Sequence, residues 1–327
     1  MSEELNQEWD KVFPKSEKVE HKKVSFKNHF GIKIVADMYE PKEYNGLLPA
    51  IAVSGPFGAV KEQSSGLYAQ EMAERGFLTI AFDPSYTGES SGEPRYMNSP
   101  DINVEDFQSA VDFLSNLENV DSEKISIIGI CGWGGMALQT ACIDTRIKVT
   151  IVSTMYDMSR VAGNGYFDEQ DNEEARYNQR VSLNKQRTED FKLGKYKLGG
   201  GVIDPLPEDA PQFVKDYYAY YKTSRGYHKR SLNSNGGWNV TAGTSLLNTR
   251  LFTYSNEIRN AVMIVHGENA HSCYMGKDAY NNMIKDSKYT ENKELVIVPN
   301  ATHCDLYDQK DKIPFDKIET FIRENLK

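Results

Sequence analysis

Apolar residues recur in two regular patterns along most of the chain. Short, nearly continuous apolar runs have the length of buried β-strands, and they occupy residues 48–55, 76–83, 124–130, 148–154, 261–267 and 294–299. Apolar residues at helical spacing occupy residues 65–75, 101–117, 135–143, 274–286 and 314–325. Alternating runs within 23–39 predict a β-hairpin. The pattern therefore predicts an α/β fold: a mostly parallel, twisted sheet of about eight strands with helices on both faces.

One long stretch, residues 156–250, breaks this alternation. A structureless loop of that length is implausible in a compact domain. We therefore expect a helical insertion that caps an α/β core formed by residues 1–155 and 251–327. Residues 1–20 are polar and are expected to form a lead-in helix or tail.

Aromatic residues are the candidates for a substrate cavity under this cap. The stretch is rich in tyrosine. Tyr156 at its start, Trp238 near its end and Trp133 in the core are expected to contact substrate. For individual tyrosines, packing of the cap onto the core is an equally good explanation.

Composition narrows the class of function. The formal net charge of −9 argues against a nucleic-acid-binding surface. No apolar run approaches the ~18 residues of a membrane span, and the acidic start of the chain lacks the apolar region of a secretory signal. Four cysteines without a CxxC pair favour a reducing, cytoplasmic compartment. We expect a small-molecule substrate and no nucleic-acid or membrane partner, and we allow for a homodimer.

The segment GICGWGG, residues 129–135, carries the strongest chemical signal. It follows a predicted buried strand and opens a helix, where a sharp turn that presents a nucleophile needs small neighbours. A helix N-terminus favours a thiolate, so Cys131 is the candidate nucleophile, with a lowered pKa expected. The alternative is a buried structural cysteine in a glycine-rich turn.

A thiol nucleophile needs a base, and His303 is the best placed of the six histidines. It lies in a loop just after the last predicted strand, where enzymes with this type of sheet assemble their sites. His271, in the loop after the preceding strand, is a weaker competitor. No close metal-ligand spacing accompanies these residues, so we expect no metal site.

The group that orients His303 is less clearly indicated. Glu268 is the only carboxylate in the loop after strand 261–267, and Asp157 is an alternative in the loop after strand 148–154. A Cys-His pair without an acid also remains open. In each case the requirement is a group that reaches the Nδ1 side of the ring.

An oxyanion hole would need two backbone N–H groups near the nucleophile. In the segment SGPFG, residues 54–58, Pro56 has no N–H, so Phe57 supplies the first inward donor. The N–H of Gly132, directly after the nucleophile, is the second candidate. The alternative is that this glycine- and proline-containing run is only a tight turn.

The segments LPAIAVSGPFG, GFLTIAFDPSYTGESSGEP, KISIIGICGWGG, AVMIVHGEN and ELVIVPNATHCDLYD together resemble the α/β-hydrolase superfamily over about 20–155 and 255–327. Within that superfamily, a cysteine at the strand-to-helix turn that presents the nucleophile (the elbow) resembles the dienelactone hydrolase-like branch. Three positions depart from the superfamily pattern: Trp133 interrupts the elbow, Ser54 replaces a frequent histidine, and Ala270 stands where the acid loop usually has aspartate. The insertion is also longer than in a minimal dienelactone hydrolase.

The resemblance implies a cytoplasmic hydrolase without a cofactor, acting on an ester, thioester or lactone. It implies that Cys131 forms an acyl-enzyme, with His303 as the base and Glu268 as the acid. Two alternatives remain: a peptidase or acyltransferase on the same fold, or an inactive fold that serves as a binding module.

Overall fold

The computed structural model describes residues 5–327 and is built around one eight-stranded sheet. Two further strands, β7 and β8, form a separate ribbon. In chain order the strands are β1 Val19–Lys27, β2 Lys33–Pro41, β3 Leu48–Ser54, β4 Leu78–Phe82, β5 Val120–Ile130, β6 Ile147–Ser153, β7 Leu198–Gly199, β8 Trp238–Asn239, β9 Ala261–Gly267 and β10 Lys293–Val298. The helices are α1 Ser64–Glu74, α2 Pro100–Ser115, α3 Gly132–Ala141, α4 Met158–Asn164, α5 Glu173–Leu193, α6 Gln212–Tyr221, α7 Leu232–Asn235, α8 Cys273–Ile284, α9 Asp305–Asp308 and α10 Phe315–Asn325.

The predicted α/β fold is confirmed. The sheet order is β1-β2-β4-β3-β5-β6-β9-β10, with the predicted hairpin β1–β2 at one edge. Only the pairs β1–β2 and β2–β4 are antiparallel in this sheet, and the others are parallel. In the lead-in, residues 5–18 form neither helix nor strand, and residues 1–4 lie outside the described part of the chain.

The stretch between β6 and β9 holds helices α4 to α7 and the two-stranded ribbon β7–β8. It is only partly helical, since several 3₁₀ turns and irregular segments connect these elements. Helix α5 carries mostly exposed side chains, with Asp190 as its one buried residue. The boundaries of a cap at 156 and 250 stay a prediction. Within residues 5–327, no helix combines the length and the apolar composition needed to cross a membrane.

The parallel strands end side by side, and this alignment positions the candidate site. In the sheet register Ser54 is paired with Gly129, and Ile130 is paired with Ser153. The pairing extends past the end of β5, because the Cys131 N–H donates to the Ser153 carbonyl at 2.9 Å. The loops after β3, β5 and β6 therefore emerge at the same edge, as ligand-binding loops do in open α/β sheets.

A buried ion cluster lies beside this edge. The Lys61 ammonium is 2.9 Å from Asp83 Oδ2 and 2.6 Å from Glu62 Oε1, and it also contacts Glu89. Burial would lower the pKa of Lys61, but these carboxylates raise it well above its usual value. Arg230, from the stretch between β6 and β9, reaches Glu62 at 2.6 Å. Although the three carboxylates are close enough together to suit a cation, the lysine already occupies a position among them.

Candidate active site

Cys131 sits on a strained turn between β5 and α3. Its φ of 59° and ψ of −128° place a non-glycine residue at positive φ, which costs free energy and is typical of functional sites. The turn is possible because its neighbours are glycines. A Cβ on Gly129 would lie 2.1 Å from the Trp133 carbonyl oxygen, and one on Gly132 would lie 2.9 Å from Phe57.

Trp133, expected to contact substrate, lies in the core instead. It is 1% exposed, and its ring centroid is 5.7 Å from Phe82 and 5.4 Å from Phe107. The reason is geometric: the first turn of α3 directs this side chain toward α2 and the end of β4. Trp133 therefore packs in the core below the turn. The expectation that it contacts substrate is corrected accordingly.

Hydrogen-bonding groups surround the Cys131 sulfur: two backbone N–H groups that donate to it, and two tyrosine hydroxyls that can accept from the neutral thiol or donate to the thiolate. The N–H groups of Phe57 and Gly132, the two expected oxyanion donors, and the hydroxyls of Tyr307 and Tyr217 act on it. Burial nevertheless raises the pKa of Cys131 to about 11, and these hydrogen bonds only partly offset that effect. The expectation of a lowered pKa is therefore wrong, because loss of hydration outweighs the helix N-terminus.

His303 is held by three hydroxyl groups. Its Nδ1 lies 2.6 Å from Ser272 Oγ and 2.9 Å from Thr154 Oγ1, and its Nε2 lies 3.0 Å from the Tyr307 hydroxyl. Burial, reinforced by two neighbouring histidines, lowers the pKa of His303 well below its usual value. The ring is therefore neutral at pH 7, and both of its nitrogens lie within hydrogen-bond distance of hydroxyl groups, which can donate or accept.

Neither expected acid reaches this ring. The carboxylate of Glu268 accepts the Asn300 N–H at 2.9 Å on the exposed side of the loop. Asp157 caps α4 by accepting the Ser159 N–H at 3.0 Å. No carboxylate hydrogen-bonds the His303 ring within residues 5–327. The assignment of Glu268 as the orienting acid is therefore corrected, because hydroxyl groups occupy the Nδ1 side of the ring. The Cys-His pair without an acid stays a prediction.

Sequence reasoning missed the hydroxyl groups. Tyr307 lies four residues after His303, a helical spacing that would have brought the two side chains together. Ser272 and Thr154 carry no such signal in the sequence, because only the folded chain brings their loops beside Nδ1. Tyr217 carried no distinguishing signal among the many tyrosines of its stretch.

A cavity of about 490 Å³ opens over Cys131. Its walls are aromatic and aliphatic and include Tyr156, Tyr217, Phe213 and Trp238, so two of the expected contact residues line it. No charged side chain of the described residues is part of the lining. The volume is within the range of small-molecule sites. The arrangement can hold an uncharged, largely apolar group next to a thiol and two N–H donors.

Comparison with known proteins gives a family match. Residues 31–305 match the family described as X-Pro dipeptidyl-peptidase (S15 family). The uncharacterized protein PA2218 of Pseudomonas aeruginosa is 52% identical over all of this chain and 86% of its own length. Its crystal structure superimposes with a TM-score of 0.93, covering 99% of each chain at 51% identity. The uncharacterized protein YcjY of Escherichia coli is 33% identical, covering 88% of this chain and 93% of that protein.

Two fungal proteins are more distant. Thiohydrolase aneE of Aspergillus aculeatus is 33% identical over 42% of each chain. The α/β hydrolase GrgF of a Penicillium species has 19% identity and a TM-score of 0.74, covering 94% of this chain and 99% of that one. At that identity the likeness to GrgF shows the α/β-hydrolase fold alone.

The raised pKa of Cys131 predicts its reactivity. We expect iodoacetamide to alkylate Cys131 at least tenfold more slowly at pH 7 than an exposed thiol, because only the thiolate reacts. The rate should rise as the pH approaches about 11. Peptide mass spectrometry would measure modification of this cysteine separately from the other three. A half-maximal rate near pH 8.5 or below would contradict the buried, neutral thiol.

Proposed function

Because the chain belongs to the X-Pro dipeptidyl-peptidase (S15) family and has an α/β-hydrolase fold, we propose that it is an acyl hydrolase that uses Cys131 to cleave thioesters or esters of uncharged acyl groups. The observation that carries this proposal is the Cys131 sulfur, held against the N–H groups of Phe57 and Gly132 at the base of an apolar cavity. Lactones, the substrates implied by the dienelactone hydrolase-like resemblance, remain a narrower version of the same chemistry.

The cavity lining favours acyl substrates over peptides. Release of a dipeptide requires binding of a charged α-amino group, and buried charges need a partner of opposite sign. The described lining offers no carboxylate, whereas Phe213 and Trp238 provide apolar surface. The relative named as a thiohydrolase supports the same class of substrate.

The proposed mechanism begins from neutral groups. The Cys131 thiol gives its proton to the Tyr307 oxygen while the Tyr307 hydroxyl proton moves to His303 Nε2, which is 3.0 Å away. The sulfur attacks the acyl carbon, and the N–H groups of Phe57 and Gly132 stabilise the oxyanion. Removing one such donor typically costs about 10²–10³ in rate.

Collapse of this intermediate releases the leaving group, which takes its proton from His303 through Tyr307. Water then attacks the acyl-Cys131 carbonyl with the same residues acting as base, and the acid product leaves. This path requires the tautomer with the proton on Nδ1, where the Ser272 and Thr154 oxygens lie close enough to accept it. Because no carboxylate stabilises the imidazolium, we expect proton transfer and carbon attack to occur together.

Substitution of the nucleophile tests the function. We expect Cys131→Ala to lower kcat for p-nitrophenyl hexanoate to background, because Cys131 is the only thiol among the described residues that line the cavity. Circular dichroism should show that the variant is folded. Cys142→Ala, at the end of α3 and away from the cavity, is the matched control and should keep the wild-type rate. Hydrolysis by Cys131→Ala at the wild-type rate would refute the proposed nucleophile.

Tyr307→Phe tests the proton path. We expect kcat to fall by about 10²–10⁴, the usual contribution of general acid–base catalysis, because the hydroxyl joins the sulfur to His303. Tyr220→Phe is the control: that ring packs 5.0 Å from Tyr307, but among the described residues no hydrogen bond joins its hydroxyl to Cys131 or His303. We expect it to keep kcat within a few-fold. Wild-type kcat in Tyr307→Phe would mean that His303 contacts the sulfur directly.

A further inference from the structure

The outer face of α5 and the loop after it carry basic side chains that have no ion-pair partner among the described residues. They are Arg180, Lys185, Arg187, Lys192, Lys195 and Lys197. The chain as a whole has a net charge of −9, and other arginines, such as Arg146 and Arg160, are held in carboxylate pairs. The same helix carries exposed Glu173, Glu174 and Glu189, so the excess of positive charge lies at its C-terminal end and in the loop after it, where Lys192, Lys195 and Lys197 follow. A local excess of cations on an acidic protein favours an anionic ligand.

A groove of about 390 Å³ lies within this surface, at the end of α5. Arg187 and Lys195 supply its cations, and Phe191 and Tyr196 supply aromatic rings that are 92% and 54% exposed. Exposed rings beside cations offer a flat surface on which a planar ligand group can stack. The combination of guanidinium, ammonium and exposed aromatic rings matches the phosphates and base of a nucleotide.

The loop that forms this groove is held in place. Asp190 is 5% exposed, and its Oδ1 accepts the Lys197 N–H at 3.1 Å and the Gln186 amide at 2.8 Å. Gly194 ends the helix in the left-handed conformation with φ 63°, where a side chain would be strained. Both hydrogen bonds end on Oδ1, whereas Oδ2 is buried without a hydrogen-bond partner among the described residues, and Asp190 lines the groove together with Arg187 and Lys195. The hydrogen bonds of Oδ1 set the shape of the loop before a ligand binds.

The ribbon β7–β8 connects this groove to the catalytic cavity. Along the segment that contains β7, Tyr196 lines the groove and Gly201 lines the cavity, and along the segment that contains β8, Thr241 lines the groove and Trp238 lines the cavity. Five residues of extended chain span at most about 17 Å, so the two sites lie within reach of one elongated substrate. Ile203 lines the cavity and is 50% exposed, which places it at the rim.

We propose that the groove binds the nucleotide end of a coenzyme A thioester. The phosphates contact Arg187 and Lys195, the adenine stacks on Phe191 or Tyr196, and the pantetheine chain follows the ribbon to place the thioester at Cys131. The inference rests on the proposed function. In the reaction the carbon–sulfur bond of the thioester breaks, the acyl group moves to Cys131, and coenzyme A leaves as a thiol with the proton from His303.

Direct titration tests the groove independently of catalysis. We expect adenosine 3′,5′-bisphosphate to bind the wild-type protein in calorimetry, and Arg187→Gln/Lys195→Gln to raise Kd at least tenfold. Arg180→Gln/Lys185→Gln makes the same change of charge on α5 outside the groove and should change Kd less than threefold. Absence of binding, or equal weakening by both double variants, would overturn the proposal.

Kinetics supply the second measurement. For hexanoyl-coenzyme A we expect the groove variant to raise KM at least tenfold, whereas KM for hexanoyl-N-acetylcysteamine, which lacks the nucleotide, should not change. Equal KM changes for both substrates would overturn the proposed contact. So would a protein that binds no nucleotide and cleaves only acyl groups carried by an acidic carrier protein. If the wild-type protein cleaves neither thioester, the proposed function fails, and the titration still decides whether the groove binds nucleotides.

Discussion

The close approach of α3 to the ends of β5 and β6 is the constraint on which the candidate site depends. A Cβ on Gly129 would lie 2.1 Å from the Trp133 carbonyl oxygen, and one on Gly135 would lie 2.2 Å from the Tyr156 carbonyl oxygen. Only glycine permits these backbone contacts, and they hold Cys131 at positive φ. That conformation points the sulfur at the N–H groups that follow β3 and β5, so packing of the core positions the reactive atom.

Burial then sets the chemical state of the site. Removal from water raises the pKa of Cys131 to about 11 and lowers the pKa of His303, which favours the neutral form of both groups. No carboxylate among the described residues stabilises an imidazolium here, since the ring meets the hydroxyls of Ser272 and Thr154. A chain of hydroxyls suits a neutral resting state, in which Tyr307 joins the thiol to the base.

The fold was predictable because apolar periodicity reports directly on which faces of strands and helices are buried. The places of Cys131 and His303 followed in the same way, since parallel strands end at a common edge. The partners of His303 Nδ1 were not predictable, because Ser272 and Thr154 come from loops after different strands and only the folded chain brings them together. The direction of the Cys131 pKa and the orientation of Trp133 were also missed, since both depend on tertiary packing around α3.

The proposed chemistry requires an acyl group that is carried by Cys131. The wild-type protein can be mixed with p-nitrophenyl hexanoate, quenched with acid within milliseconds, digested and analysed by peptide mass spectrometry. We expect a hexanoyl adduct on the peptide that contains Cys131, formed as fast as nitrophenol is released. Release of nitrophenol without an adduct, or an adduct on another residue such as Ser272, would contradict it.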